Sequence, residues 1–328
     1  MTGNRKAHVT ALATSLWIGI GILLPTALLS QAHAQDNRPL RIIVPLAPGG
    51  PVDIGARALV PHLEPRLKQP IIIENRPGGG NSIGAQVVAS APADGLTHFF
   101  QVASTTTPVF VKDLALDFAK DFEPVAPVWT VSYVMFIHSS VPARNIREFI
   151  DYAKANPGKL NYAAGTASTM LAMEMLKNRA GIDVVGIPYK GSAPALTALL
   201  ANEVQAAFDV AGLHKPYVDS GKERALYATD KQRSVVFPDV PTAAEVGLPD
   251  MELLLTGGFW TRAGSPAAQI NRINAAVNEV LAMPDIDDRY KKAGWFVKRG
   301  SPADLRNAYR YEADWWAKAA KLVNYKPE

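Results

Sequence analysis

The chain has no cysteine, which excludes a disulfide scaffold, a thiolate metal site and a cysteine nucleophile, and leaves stability to the core alone. Histidine is scarce: six occur in 328 residues and none stands in H-x-x-x-H spacing, so no ligand set for a metal is visible, and neither metal nor cofactor is expected. Clusters of Lys and Arg free of acids are missing too. The 34 basic residues face 30 acidic ones for a formal charge of +4, which argues against a phosphate-tracking surface and a nucleic-acid partner. No repeat or low-complexity linker divides the chain, and beyond Leu29 no run is long and apolar enough to span a bilayer.

What is there begins with the pattern of an export signal. Arg5, Lys6 and His8 precede an apolar run from Ala11 to Leu29, and Ala32-His33-Ala34 places small residues two apart, so cleavage after Ala34 and a periplasmic location are expected. A membrane anchor is the alternative, but Gly19, Gly21 and Pro25 interrupt the run and Gln35-Asp36-Asn37 follows it. Removing 34 of the 328 residues leaves 294, with a net charge of +2 because only Arg5 and Lys6 go. That length serves one large domain or two ordinary ones, and a hydrophobic fraction of 48% permits a core without disulfides.

Short apolar runs alternate with helix-length segments. Arg41–Leu46, Pro70–Asn75, Thr97–Val102, Tyr133–His138, Val184–Pro188, Val204–Val210 and Glu223–Thr229 read as strands, several too uniformly apolar to have a wet face, which predicts a mostly parallel sheet. Asp53–Leu67, Arg144–Asn156, Thr169–Arg179 and Ala193–Asn202 carry helical spacing, so the class is α/β. The ending is helical, over Pro266–Met283, Pro284–Ala293 and Ser301–Leu322, with a short strand at Trp295–Lys298. Ser265-Pro266 and Ser301-Pro302 each read as an N-cap followed by proline at the first helical position.

Glycine-rich and small polar loops follow the strands. After Leu46 comes Ala47-Pro48-Gly49-Gly50-Pro51, then a helix with Asp53 in its first turn. Backbone N–H groups and a helix N-terminus there suit an anion such as a carboxylate, and a plain strand-to-helix turn fits the same residues. If the donors are backbone amides, Gly49→Val or Gly50→Val harms binding more than Asp53→Asn, which is expected to keep the loop geometry. Ala103–Pro108, Ala163–Thr169 and Phe208–Gly212 offer hydroxyls and amides at strand ends, where α/β sheets place ligands. Gly80-Asn81-Ser82-Ile83-Gly84 matches the G-x-S-x-G of serine hydrolases. Arg76-Pro77-Gly78-Gly79 separates it from its strand, however, and His98, His138 and His214 stand in no distinctive setting for a triad. The phosphate-loop pattern fails because Ala85-Gln86 replaces its Lys-Ser/Thr.

Val44–Asp53, Glu74–Gly79, Ala91–Gly95, Asp121–Val125, Pro188–Gly191 and Pro238–Thr242 follow one another as in the solute receptors of tripartite tricarboxylate transporters, the Bug family, which the chain resembles over nearly its whole mature length. The resemblance implies a monomeric, non-enzymatic, two-domain periplasmic binding protein, type II-like, with a cleft between domains for a small carboxylate that passes to membrane transporter subunits. It implies domains near residues 39–137 with 261–328 and near 138–260. It further implies ligand contacts from Leu46, Ala47, Pro48, Gly49, Gly50 and Asp53, from Ser104, Thr105 and Thr106, and from Gly165, Thr166, Ser168, Thr169 and Met170. Asp209 corresponds to an acid that meets amino or ring-nitrogen groups, and Thr256 and Gly257 stand where relatives carry an aromatic pair. Met170 and Gly186 replace two imidazoles, which predicts a roomier cleft for an aromatic or dicarboxylic acid; Met170 as a simple core residue is the competing reading. A hydrolase using Ser82 and a sensor partner sharing the cleft remain alternatives.

Overall fold

A computed structural model describes residues 38–327. The expected export signal and its cleavage after Ala34 lie outside the described residues, among which no helix is long and apolar enough to cross a membrane. The elements run β1 (Leu40–Val44), α1 (Pro51–Leu67), β2 (Ile71–Asn75), α2 (Ser82–Ala89), β3 (Thr97–Val102), α3 (Phe118–Asp121), β4 (Phe122–Val131), β5 (Val134–His138), α4 (Ile146–Ala155) and β6 (Leu160–Ala164). There follow α5 (Ala167–Ala180), β7 (Val184–Pro188), α6 (Ser192–Leu200), β8 (Ala206–Asp209), α7 (Ala211–Asp219), β9 (Glu223–Ala228), β10 (Leu255–Arg262), α8 (Ala267–Val280), α9 (Pro284–Lys292), β11 (Phe296–Val297) and α10 (Pro302–Leu322).

These strands form two sheets, ordered β11-β4-β10-β3-β1-β2 and β7-β6-β8-β5-β9. Neither is mostly parallel, which corrects the expectation. In the first sheet only β1 pairs in parallel, with β2 and β3; β10 lies antiparallel between β3 and β4. In the second, β6 is parallel to β7 and β8, while β5 is antiparallel to β8 and β9. Burial on both faces explains the apolar runs without requiring one direction, because β5 and β10, the strands that enter each sheet from the other, run against their neighbours. The chain passes between sheets at Ser132-Tyr133 and returns at Leu255.

Two strands hide behind breaker residues. Pro124 and Pro127 would demote β4 in a sequence reading, but they oppose Trp260 and Gly258, beside the two bulges of the β4–β10 ladder, where a missing N–H costs little. Gly257-Gly258 reads as a loop, yet both glycines are required inside β10: a Cβ on Gly257 would stand 2.0 Å from the Trp129 ring, and one on Gly258 2.3 Å from the Ala126 carbonyl.

The final helices cover the first sheet. α8 packs on α1 and β4, and α10 on β4, β10 and the Ala103–Thr105 turn while also touching α5. Ser301 caps α10 as expected, but Pro266 is itself the N-cap residue of α8, and Ser265 turns its hydroxyl to the Arg262 carbonyl. One apolar cluster runs from Ile42 and Leu59 through Trp129 and Met135 to Tyr162 and Phe208, so the two sheets share a core.

Candidate functional site

Strand register assembles the candidate residues. With Ile43 opposite Phe99 in a parallel pair, the loop after β1 and the turn after β3 leave the same sheet edge, and Gly257 opposite Val102 brings Thr256 to that edge from β10. In the second sheet, Ala163 opposite Ala207 puts Gly165–Thr169 and Asp209 at one edge, which Val134, opposite Asp209, also reaches. The chain crosses from Val131 to Val134 along these edges, so they adjoin. Tyr133, on the crossing, hydrogen-bonds the Ser168 hydroxyl at 2.8 Å.

The Ala47–Gly50 loop is braced from below. The buried Asp53 carboxylate accepts from Gly49 N–H (2.9 Å), Arg57 Nε (2.9 Å) and Asn75 Nδ2 (3.0 Å), and the Asn75 amide also donates to the Leu46 carbonyl. Burial would raise the Asp53 carboxyl, but these bonds outweigh it and hold it below the usual carboxylate range. The Asp53 carboxylate therefore braces the Gly49 amide from beneath the loop. The Ala47 N–H has no acceptor among the described residues, and the first-turn amides of α1 have none within the helix. Gly49 has φ +81, a left-handed conformation that favours glycine.

On the facing edge the hydroxyls are largely spent on the helix start. Thr166 caps α5 by accepting from Thr169 N–H (3.2 Å), and Thr169 reciprocates toward Thr166 N–H (3.1 Å), a capping box. Ser168 meets Thr166 Oγ1 as well as Tyr133. Gly165 packs within 3.1 Å, measured from an added Cβ, of the Gly191-Ser192 backbone, and the half-buried Met170 packs against the core. Asp209 accepts from Ser192 Oγ (2.8 Å) and Val210 N–H (2.7 Å), and its second oxygen faces His214 Nε2 at 3.6 Å. His214 is no featureless histidine: fully buried, it bonds Glu223 through Nδ1 at 2.7 Å and stacks on Phe136. Burial works against its charge, but the two carboxylates prevail and push it up to about 9.

The first-sheet edge holds a residue that sequence reading missed. Glu312 of α10 is 1% exposed; its Oε2 accepts from Ser104 Oγ (2.5 Å) and its Oε1 from Thr256 N–H (2.7 Å). Burial pushes its carboxyl up to about 8 against the pull of both partners. Its signal was available, since it interrupts an apolar helical stripe of Leu305, Trp316 and Ala319. Thr105 donates to the Val102 carbonyl, and Thr106 Oγ1 is buried without a hydrogen-bond partner among the described residues. The roomier cleft does not follow as expected: Trp129 fills the space above Gly257, and Tyr162 that above Gly186, where an added Cβ would lie 2.6 Å from its hydroxyl.

Ser82 begins α2 after a turn at Gly79–Asn81 and lines a surface groove of about 620 Å³ with Ile83, Val111 and Leu114. The described histidines are engaged elsewhere: His62 with Asp285, His98 with the Gly95 carbonyl, His138 with Ser140 and His214 with Glu223.

Comparison with known proteins places the chain among binding proteins. A family model described as tripartite tricarboxylate transporter family receptor matches residues 56–324. The UPF0065 protein in the tcbD-tcbE intergenic region of Pseudomonas sp. strain P51 is 32% identical over 94% of this chain and 93% of its own. Protein BugT of Bordetella pertussis is 30% identical, covering 95% and 98%. Among solved structures, R. palustris Rpa4515 with adipate superimposes with a TM-score of 0.81 at 28% identity, over 89% of this chain and 99% of that one. MatC of Rhodopseudomonas palustris with bound malate gives 0.76 at 30%, over 86% and 98%.

Proposed function

The chain belongs to the tripartite tricarboxylate transporter receptor family, and we propose that it is a periplasmic receptor that captures a small organic dicarboxylate between its two sheet edges and delivers it to membrane transporter subunits. The observation that carries this reading is the adjoining of two edges that each end in backbone donors. One has the Ala47 amide and the start of α1, the other the capped start of α5, and no lysine or arginine is buried among the described residues. Helix starts and strand-end amides receive a carboxylate without a formal cation, and two such edges suit one carboxylate each. The adipate and malate bound by Rpa4515 and MatC support the same class. An aromatic acid has less support, because Trp129 and Tyr162 occupy the space that smaller residues leave.

We assign one lobe to each sheet, with α8 to α10 on the first lobe, a monomeric working form, and closure by rotation about the two crossings. Contacts from Ala47, Gly50, Thr106 and the α5 start are part of the proposal. Asp209 is assigned to its own lobe through Ser192 and His214 rather than to a ligand amine. A hydrolase using Ser82 is not favoured, since the family consists of receptors and the described histidines are bonded elsewhere. A thermal-shift screen of adipate, malate, citrate and terephthalate tests the reading, because a compound that binds only the folded state raises the melting temperature with its concentration. Stabilisation by none of them contradicts it.

A further inference from the structure

Gly212 is the second residue of α7, its φ lies outside the left-handed region, and a glycine inside a helix weakens it relative to alanine. Its own helix gives no reason for it. The reason lies in the other sheet's layer: a Cβ on Gly212 would stand 2.6 Å from the carbonyl carbon and oxygen of Ala293 and 2.9 Å from its Cα, all backbone that cannot swing aside. Ala293 closes α9. There Gly294 N–H bonds the Lys291 carbonyl (2.9 Å) and Trp295 N–H the Tyr290 carbonyl (2.9 Å), a Schellman turn that accounts locally for the φ of +78 at Gly294. This turn is fixed to the first sheet, because Trp295 stacks on Trp129 at 4.9 Å and its ring would lie 2.7 Å from a Cβ on Gly55 of α1. α7 is fixed to the second, between β8 and β9, with its His214 bonded to Glu223 of β9.

We propose that Gly212 and the Ala293-Gly294 turn form the stop at which the two lobes meet when the receptor closes, and that Gly212 is a positioning residue. Its missing side chain lets the lobes approach until both strand-end edges reach one dicarboxylate. This rests on the receptor reading above and deepens it. The contact lies beside those edges: α7 begins two residues after Asp209, and β11, which follows Trp295, pairs with β4 at Trp129 and Thr130, just before the chain crosses to the second sheet. No hydrogen bond or ion pair joins α7 to the α9 turn among the described residues; the charged side chains there pair within their own helices, Lys215 with Asp219 and Lys291 with Asp287. The carbonyl end of α9 facing the start of α7 brings opposite dipole ends together, which favours the meeting without fastening it. Backbone against backbone, close and unbonded, parts and re-forms without rearranging a side chain, as rotation about the crossings requires.

Two variants of the full mature protein test this from opposite directions. Gly212→Ala obstructs the lobes only where they meet, so the unliganded melting temperature is expected to hold, with alanine's helix preference in its favour. Affinity for adipate and malate in calorimetric titration falls at least about tenfold, as the closed fraction shrinks. A glycine needed merely for packing would instead lower the melting temperature without ligand. The second variant locks the stop. A Cβ on Gly294 would lie 3.2 Å from that of Ala211, near the roughly 3.5–4.5 Å that a disulfide spans, and the chain has no cysteine to compete, so Ala211→Cys with Gly294→Cys can be oxidised and reduced in one sample. Oxidised, the protein is expected to take up adipate at least about tenfold more slowly than reduced, and small-angle scattering without ligand gives it the smaller radius of gyration. Unchanged affinity or a lowered unliganded melting temperature in G212A, failure of the cysteine pair to oxidise, or equal uptake rates in the two redox states overturns the proposal while leaving the receptor reading intact. If wild type binds neither acid, the receptor reading falls and the radii decide the stop alone: equal radii overturn it.

Discussion

Asp53→Ala strikes the brace beneath the Ala47–Gly50 loop. The substitution removes acceptors for Gly49 N–H, Arg57 Nε and Asn75 Nδ2. Arg57 is about half exposed, at 53%, so its share is discounted for solvent screening, and the weight falls on Gly49 and Asn75. Hydrogen bonds to a charged group contribute about 1.5–3 kcal/mol and ordinary ones about 1 kcal/mol, which gives a loss of roughly 2–4 kcal/mol for the set. At roughly 2–4 °C per kcal/mol for chains of this size, the melting temperature falls by about 4–16 °C. Affinity drops as well, because Gly49 and its neighbours must be ordered on binding at about 1–2 kcal/mol each, at least a tenfold change in Kd. The depressed Asp53 carboxyl also contributes stability above its ordinary value of 3.8 that is lost as pH falls through the lower folded value, and the variant lacks that acid-side dependence. Scanning calorimetry with and without adipate measures both effects. A variant that melts with the wild type and binds adipate equally well would refute the brace.

Gly257→Ala forces a Cβ to within 2.0 Å of the Trp129 ring, itself stacked on Trp295 at 4.9 Å, so about 1–3 kcal/mol is lost; a urea midpoint unchanged from wild type contradicts the packing. His214, raised to about 9 from 6.5, contributes stability that is complete below 6.5 and lost as pH rises through about 9, so the fall in melting temperature across that window is steeper in wild type than in His214→Gln. Equal slopes sink that assignment. Ser82→Ala leaves adipate binding intact and neither form cleaves p-nitrophenyl esters; hydrolysis that vanishes with the hydroxyl restores the hydrolase.

The strands with clean apolar runs were legible to within a residue or two, Thr97–Val102 and Val184–Pro188 at both ends. β4 and β10 were not, because proline beside a bulge and glycine beneath a tryptophan are local breakers that a tertiary neighbour makes tolerable. The same blindness affected the site. Loop composition marked Ala47–Gly50 and Thr166–Thr169 as loops at strand ends, where the structure puts them, since glycine and small polar residues there are a local property. Glu312 and His214 were missed because their meaning depends on partners far along the chain: Ser104 lies 208 residues before Glu312. Space at Gly186 and Gly257 was misjudged for the same reason, as the side chains that fill it come from β6 and β4.

The central claim, that two adjoining strand-end edges hold the charged ends of a small dicarboxylate, is tested most directly by titrating the mature protein calorimetrically with adipate and with adipamide, its uncharged diamide. The account predicts saturable binding of adipate at one site per chain and no measurable heat with adipamide, because the backbone donors and the two helix starts favour an anion. Equal affinity for the two, or no binding of adipate, malate or any other small carboxylate, would contradict it.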